Sequence, residues 1–304
     1  MESQKKHPRV FSFEFFPPKT DEGAENLKAT RERLERLNPA YFSVTFGAGG
    51  STQDRTFETV IDIQRSSTAD AAPHLSCIDA SRDRLKQMIL DYKEQGVKYI
   101  VALRGDRPSG SGSMGQGELS YANELVELIR EVTGDHFYIE VGAYPEFHPE
   151  APDALTDIEN FVRKAKAGAD SAITQFFYNA DCYYRFVEDC EKRGVDIPIV
   201  PGIMPLMNFE QQARFAAACK ADMPRWLAQR MEAWKDDPQS RMEYGIDVVT
   251  RLCEDLLDNG APGIHFYALN KAPVVERIWH NLGLSEQTGG EVRKPDEVEV
   301  PAQP

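Results

Sequence analysis

The feature that most restricts how this chain can fold is an alternation. From residue 9 onward, short runs rich in β-branched and aromatic residues trade places with longer segments of helical period. Eight such runs start near Val10, Tyr41, Ala72, Tyr99, Tyr138, Ser171, Ile197 and Gly263. The amphipathic stretches between them, such as Arg82 to Glu94, Leu119 to Val132 and Asp157 to Ala167, are long enough to cross back over a sheet, as parallel strands require. Eight strand-helix units predict an α/β chain closed into a single (β/α)8 barrel. A doubly wound open sheet is the competitor, and the lack of any change of pattern along the units argues against it. The seventh connection is anomalous, with about sixty residues between the run ending near Met204 and the one at Gly263, so extra helices are expected there. Trp226 and Trp234, eight apart within it, share a helical face that suits core or subunit packing.

With 304 residues, 41% of them hydrophobic, the chain can fill one large core. Its net charge of −14 repels phosphate backbones and anionic membranes, which argues against nucleic acid as a partner. An anionic ligand must then be held locally, by a helix N-terminus or by basic side chains in a cleft. Five scattered cysteines without a Cys-x-x-Cys pair, a polar start from Met1 to Val10 and no long apolar run point to a reduced, cytoplasmic setting. Residues 285–304 have little to bury and are expected to form a disordered tail, leaving 1–284 as the folded unit. An acidic surface with exposed apolar helices suits a homo-oligomer.

Strand parity is the most informative local signal. In Phe11-Ser12-Phe13-Glu14-Phe15 the phenylalanines share one face, to meet the helices, and Ser12 and Glu14 share the other. Glu14 would point into the barrel, where burial should raise its pKa and make it a candidate proton donor; pairing with a buried base is the plainer alternative. The same alternation recurs in Phe42-Ser43-Val44-Thr45-Phe46 and His74-Leu75-Ser76-Cys77. Arg104-Gly105-Asp106 ends the fourth run and Thr174-Gln175 nears the end of the sixth, at the strand ends where such barrels keep their active sites.

After the fifth run, Tyr144-Pro145-Glu146-Phe147-His148-Pro149-Glu150 sets a rigid path into the next helix, where Asp157, Asn160, Arg163 and Lys164 lie at helical spacing. That set could hold a phosphate or a nucleotide edge, or form surface salt bridges. A metal site at His148 with Glu146, Glu150 and Asp153 lacks any supporting spacing. Gly110-x-Gly112-x-x-Gly115, with Asp135 twenty residues on, mimics a dinucleotide fingerprint. It sits beyond Pro108 in a Ser/Gly-rich run instead of at a strand-to-helix turn, and reads as a loop or lid.

Phe11 to Lys19, Ala71 to Cys77 and Ala102 to Asp106 together resemble the methylenetetrahydrofolate reductase family. So do Ala143 to Glu150, Ala172 to Phe177, Pro201 to Pro205 and His265 to Asn270, and the likeness runs from about residue 9 to 284. The resemblance implies a catalytic barrel that binds FAD and works by a ping-pong sequence: NADH or NADPH delivers hydride to the flavin, departs, and is replaced by methylenetetrahydrofolate, which leaves as methyltetrahydrofolate. It implies Glu14 as the proton donor that opens the folate ring, and Asp106 as the acid between flavin and pterin. Implied FAD contacts are Thr45, Phe46, Ala48, His74, Arg104, Gly105, Asp106, Ala122, Tyr144, His148, Asp157, Asn160, Arg163 and Lys164. Gln175, Gln211, Phe215, Leu269 and Lys271 match substrate contacts. Phe46 stands where the family pattern has Tyr, and Lys271 where it has Arg, whose bidentate fork Lys does not reproduce. Two other classes fit a barrel of this kind: a pterin-binding methyl transferase without flavin redox chemistry, and a non-catalytic folate or flavin carrier.

Overall fold

The computed structural model describes residues 1–46, 50–78, 80–105 and 117–284. Ala48, Asp106, the run Gly110 to Gly115 and the tail 285–304 lie outside the described residues. Helix α1 (Glu2–Lys5) leads into β1 (Val10–Phe15), α2 (Asp21–Glu35), β2 (Tyr41–Val44), α3 (Gly50–Ser66), β3 (Asp70–Ser76), α4 (Arg82–Glu94), β4 (Tyr99–Leu103) and α5 (Ala122–Thr133). The alternation continues through β5 (Tyr138–Ala143), α6 (Ala154–Lys166), β6 (Ser171–Thr174) and α7 (Ala180–Glu191). Side-chain caps mark many of the helix starts: Thr20, Ser81, Asp153, Asn179, Asn208 and Asp237 each accept a hydrogen bond from a first-turn amide that would otherwise be unpaired.

Among the described residues nine parallel strands lie in the order β7-β6-β5-β4-β3-β2-β1-β9-β8, a nearly closed barrel. The sequence suggests eight, and the difference lies in the seventh. That run is split into β7 (Ile199–Val200), which pairs with β6, and β8 (Gly202–Ile203), which pairs with β9 (Gly263–Tyr267). The break falls at Pro201, which has no N–H for the ladder but whose carbonyl accepts from His265 N at 3.0 Å. One interrupted strand thus serves both edges of the sheet. Gly202 is needed there for space, since a Cβ would lie 2.1 Å from the Thr174 carbonyl oxygen and 2.7 Å from the Tyr267 hydroxyl. The long seventh connection holds α8 (Phe209–Cys219), α9 (Arg225–Ala233) and α10 (Pro238–Asp258), and α11 (Pro273–Asn281) follows β9.

The barrel separates two environments. Outside the strands, Phe13, Phe15, Phe42, Phe266 and Trp279 are all fully buried against the helices, with Trp279 centred 5.7 Å from the Phe13 ring. Each such ring contributes roughly 2–3 kcal/mol by leaving water. Inside, Tyr41, Ala72, Tyr99, Val101 and Ile173 form a separate cluster, and buried Ser12, Ser43, His74, Glu140, Ser171 and His265 share that interior face. Register aligns the polar positions: Ser12 faces Tyr41 and His265, Glu14 faces Ser43 and Tyr267, and Glu140 faces Ser171. Trp226 is 52% exposed and is not part of the core. All five cysteines are free thiols, and no described helix is long and apolar enough to cross a membrane.

Gly202→Ala should push β8 away from Thr174 and Tyr267 and loosen the closure of the barrel. A loss of about 2–3 kcal/mol, read as a fall in the thermal or denaturant midpoint, is expected; an unchanged midpoint would show that the closure tolerates a methyl group there.

Candidate active site

Strand β1 turns Glu14 inward, and two histidines from other strands meet it. Glu14 Oε2 lies 3.2 Å from His74 Nε2 on β3 and 3.4 Å from His265 Nε2 on β9. The Glu14 side chain is 16% exposed, whereas His265 is wholly buried, its Nδ1 lying 2.7 Å from Ser12 Oγ. Burial pushes the Glu14 carboxyl up, but the charge of His74 and hydrogen bonding from His265 and His74 outweigh it and hold the group down to about 2, against an ordinary 4.5. The expected upward shift is therefore corrected: the carboxyl does face the interior, yet it rests ionised between imidazoles. His74 keeps the company its strand parity suggests.

A second cluster forms where β4, β5 and α6 meet. Gly105, at φ +91, turns the chain after β4 where a Cβ would strike Ser76 Oγ at 2.0 Å. Beside it, Arg104 pairs with Glu150 at 2.6 Å and donates from Nε to the Gly105 carbonyl at 3.1 Å. Asp157 accepts from the His148 amide at 2.9 Å, and the His148 ring packs edge-on against Tyr144, 4.5 Å between centroids. Lys164 reaches back to donate to the Gly142 carbonyl of β5. Burial and the nearby Arg104 pull the Lys164 ammonium down to about 8, against the attraction of Asp157. Burial, then Arg104, also lowers His148. Arg163 donates to Asn160 at 2.8 Å one turn away on the same helix. Arg104, Tyr144, His148, Asp157 and Lys164 are thus brought together, as an anion-binding cluster requires.

A third group is an aromatic shelf. Phe215 on α8, 47% exposed, stacks at 15° on buried Phe176, with 5.6 Å between centroids. Gln175, before Phe176, has its amide on the Ala143 carbonyl at 2.7 Å, and Gln211 lies exposed one helical turn before Phe215. Thr45 closes β2 with its amide on the Phe15 carbonyl at 2.9 Å, and Phe46 packs on the core edge. Leu269 and Asn270 both take left-handed backbone, and the Asn270 side chain clamps the Phe16 amide and carbonyl at 3.0 and 2.9 Å. Ala122 opens α5 and Lys271 is exposed; the hydrogen bonds and ion pairs of the three groups do not reach them.

Sequence reading passed over His265, although Gly263-Ile264-His265-Phe266-Tyr267 has the same alternation as β1. It also passed over Glu140, inward by the parity of Tyr138-Ile139-Glu140-Val141. Because the Glu14 carboxyl is held below its unfolded value, its ionisation stabilises the fold above about 4.5, and that stabilisation is lost as pH falls toward about 2. Glu14→Gln should therefore flatten the dependence of stability on pH across that window in denaturant titrations; a slope equal to the parent's would show that Glu14 is not held ionised.

Comparison with known proteins agrees with this architecture. The family model described as Methylenetetrahydrofolate reductase matches residues 1–283. The 5,10-methylenetetrahydrofolate reductase of Escherichia coli (strain K12) is 43% identical over 273 residues, covering 90% of each chain. Methylenetetrahydrofolate reductase (NADH) 1 of Arabidopsis thaliana is 37% identical over 290 residues, 92% of this chain and 49% of that one. Among solved structures, a Clostridium thermocellum protein described as binding two copies of 5-methyl-5,6,7,8-tetrahydrofolic acid shares the fold, with a TM-score of 0.62 at 14% identity over 94% of this chain and 97% of that one. A match along nearly the whole chain, carried on a barrel whose strand ends gather an acid, two imidazoles and a cationic cluster, establishes that this chain belongs to the methylenetetrahydrofolate reductase family.

Proposed function

We propose that the chain reduces 5,10-methylenetetrahydrofolate to 5-methyltetrahydrofolate with FAD as its bound cofactor and NADH as the reductant. The observation that carries this reading is the Glu14 carboxylate between His74 and His265, a proton-handling group on the inner face of the barrel. Lys164 is a partly buried cation beside Arg104, with no carboxylate in ion-pair range among the described residues, so an anionic group would relieve an existing electrostatic cost. That fits the diphosphate of FAD, which Arg104 and Lys164 would hold, with His148 from the loop before α6 and Asp157, Asn160 and Arg163 along the helix. When bound, FAD supplies a carrier that accepts hydride from the nicotinamide and returns it to the folate.

The chain's own groups do the rest. Glu14 delivers a proton to the ring amine of the folate, breaking its C–N bond and leaving the one-carbon unit as the hydride acceptor. Asp106, by the family resemblance, would supply the negative charge that stabilises that cation. Phe215 on Phe176 gives one flat face that suits a pterin and a nicotinamide in turn, with Gln175 and Gln211 as polar contacts, which supports a ping-pong order. Leu269 and Lys271, which follow β9, are further substrate contacts on the family resemblance alone. The plant relative's name supports NADH over NADPH.

Purified protein should be yellow. Mixed anaerobically with NADH it should lose the oxidised flavin spectrum, and methylenetetrahydrofolate should restore it. Glu14→Gln should keep the first half-reaction and slow the second by about 1000-fold; a variant equally fast in both would remove Glu14 from the chemistry. Lys164→Met should weaken FAD binding by about tenfold or more. A colourless protein that FAD cannot reconstitute would point instead to a pterin-binding barrel without redox chemistry.

A further inference from the structure

The interior of the barrel contains a second acid that the reading above leaves idle. Glu140 on β5 is 1% exposed; Ser171 Oγ donates to its Oε1 at 2.8 Å, while Oε2 is buried without an aligned hydrogen bond. The Tyr41 hydroxyl, equally buried and also without an aligned bond, lies against both Glu140 and Ser12. Ser12 Oγ is 2.7 Å from His265 Nδ1, and His265 Nε2 is 3.4 Å from Glu14 Oε2. Glu140, Tyr41, Ser12, His265 and Glu14 therefore lie in a file through the barrel, hydrogen-bonded from Ser12 to His265 to Glu14 and, at Tyr41, in side-chain proximity that a turn of its hydroxyl converts into the missing links. The other titratable groups facing it are Tyr99 from β4, Tyr138 on β5, His74 from β3 and Tyr267 on β9.

Such a file has two polarities. In one, neutral Glu140 donates to Tyr41, Tyr41 to Ser12, Ser12 to Nδ1 of His265, and the Nε2–H of His265 to the Glu14 carboxylate. In the other, each proton has moved one link. The Nε2 proton sits on Glu14, the Ser12 proton on Nδ1, the Tyr41 proton on Ser12 and the Glu140 proton on Tyr41. At every link one bond to hydrogen breaks and one forms, so the sum is a single proton moved from Glu140 to Glu14 with no change in total charge.

We propose that Glu140 and Glu14 share one proton through Tyr41, Ser12 and His265, which rests on Glu140 and passes to Glu14 when the reaction at the barrel mouth draws on it. This rests on the reading of Glu14 as the donor and removes its chief difficulty, that a carboxylate at rest has no proton to give. The two carboxyls are biased in opposite directions: burial raises Glu140, while the imidazoles, against burial, hold Glu14 down. The outer face of the same strands is hydrocarbon, so the file is insulated from bulk water on that side.

Infrared difference spectra of the full-length protein at neutral pH should show the carbonyl band of a neutral buried carboxyl that is lost in Glu140→Gln and kept in Glu14→Gln. Tyr41→Phe leaves both carboxyls in place and cuts the file. It should slow the folate half-reaction by about 100-fold and displace its pH profile, with reduction by NADH unchanged. A band that survives Glu140→Gln or vanishes in Glu14→Gln overturns the proposal, as does Tyr41→Phe with the parent's rate and pH profile. If Glu140→Gln does not fold, Tyr41→Phe decides. Full turnover in Glu14→Gln would refute the donor reading alone, and the infrared band would still report where the proton rests.

Discussion

An ionised carboxylate inside a protein is expensive, and the arrangement of this barrel turns on how that cost is met at Glu14. Two imidazoles approach Glu14 Oε2 at 3.2 and 3.4 Å, one from β3 and one from β9, so the stabilisation exists only when the strands have closed around it. Closure depends on a seventh strand broken at Pro201 whose halves bind opposite edges of the sheet. Fold and chemistry are therefore coupled: whatever loosens the seam between β8 and β9 also moves His265 away from Glu14.

The same strands carry two incompatible environments without mixing them, because side chains alternate. Phe13 and Phe15 are spent on the helices and on Trp279, while Ser12 and Glu14 between them enter a polar interior. The cationic cluster at Arg104 and Lys164 is built differently, from the segments that follow β4 and β5 and from α6, with burial and Arg104 lowering the Lys164 ammonium and Asp157 opposing them.

Much of this was legible in the sequence, and the failures have a common cause. The alternation of runs pointed to the barrel and to extra helices in the seventh connection, and the parity of Phe11 to Phe15 to the direction of Glu14. The sign of the Glu14 shift was not legible, because its partners His74 and His265 stand far away in the chain and only the closed sheet makes them neighbours. Glu140 was legible by parity as an inward residue, but its partners Tyr41 and Ser171 lie on other strands and only the closed sheet brings them to it. The division of the seventh strand follows from Pro201, whose local meaning is plain but whose consequence, one strand serving two edges, is a property of the ring. Trp226 and Trp234 share a spacing that suits packing, yet Trp226 lies on the surface of this chain.

The most direct test of the account is a carbon-13 NMR titration of the glutamate side-chain carboxyls, with Glu14 assigned by its absence from Glu14→Gln. The account requires the Glu14 resonance to stay at its ionised position as pH is lowered from neutrality through 4.5, moving only as the fold approaches its acid limit. A Glu14 resonance with its midpoint at or above 4.5 would contradict it, because the imidazoles would then not be overcoming the cost of burial.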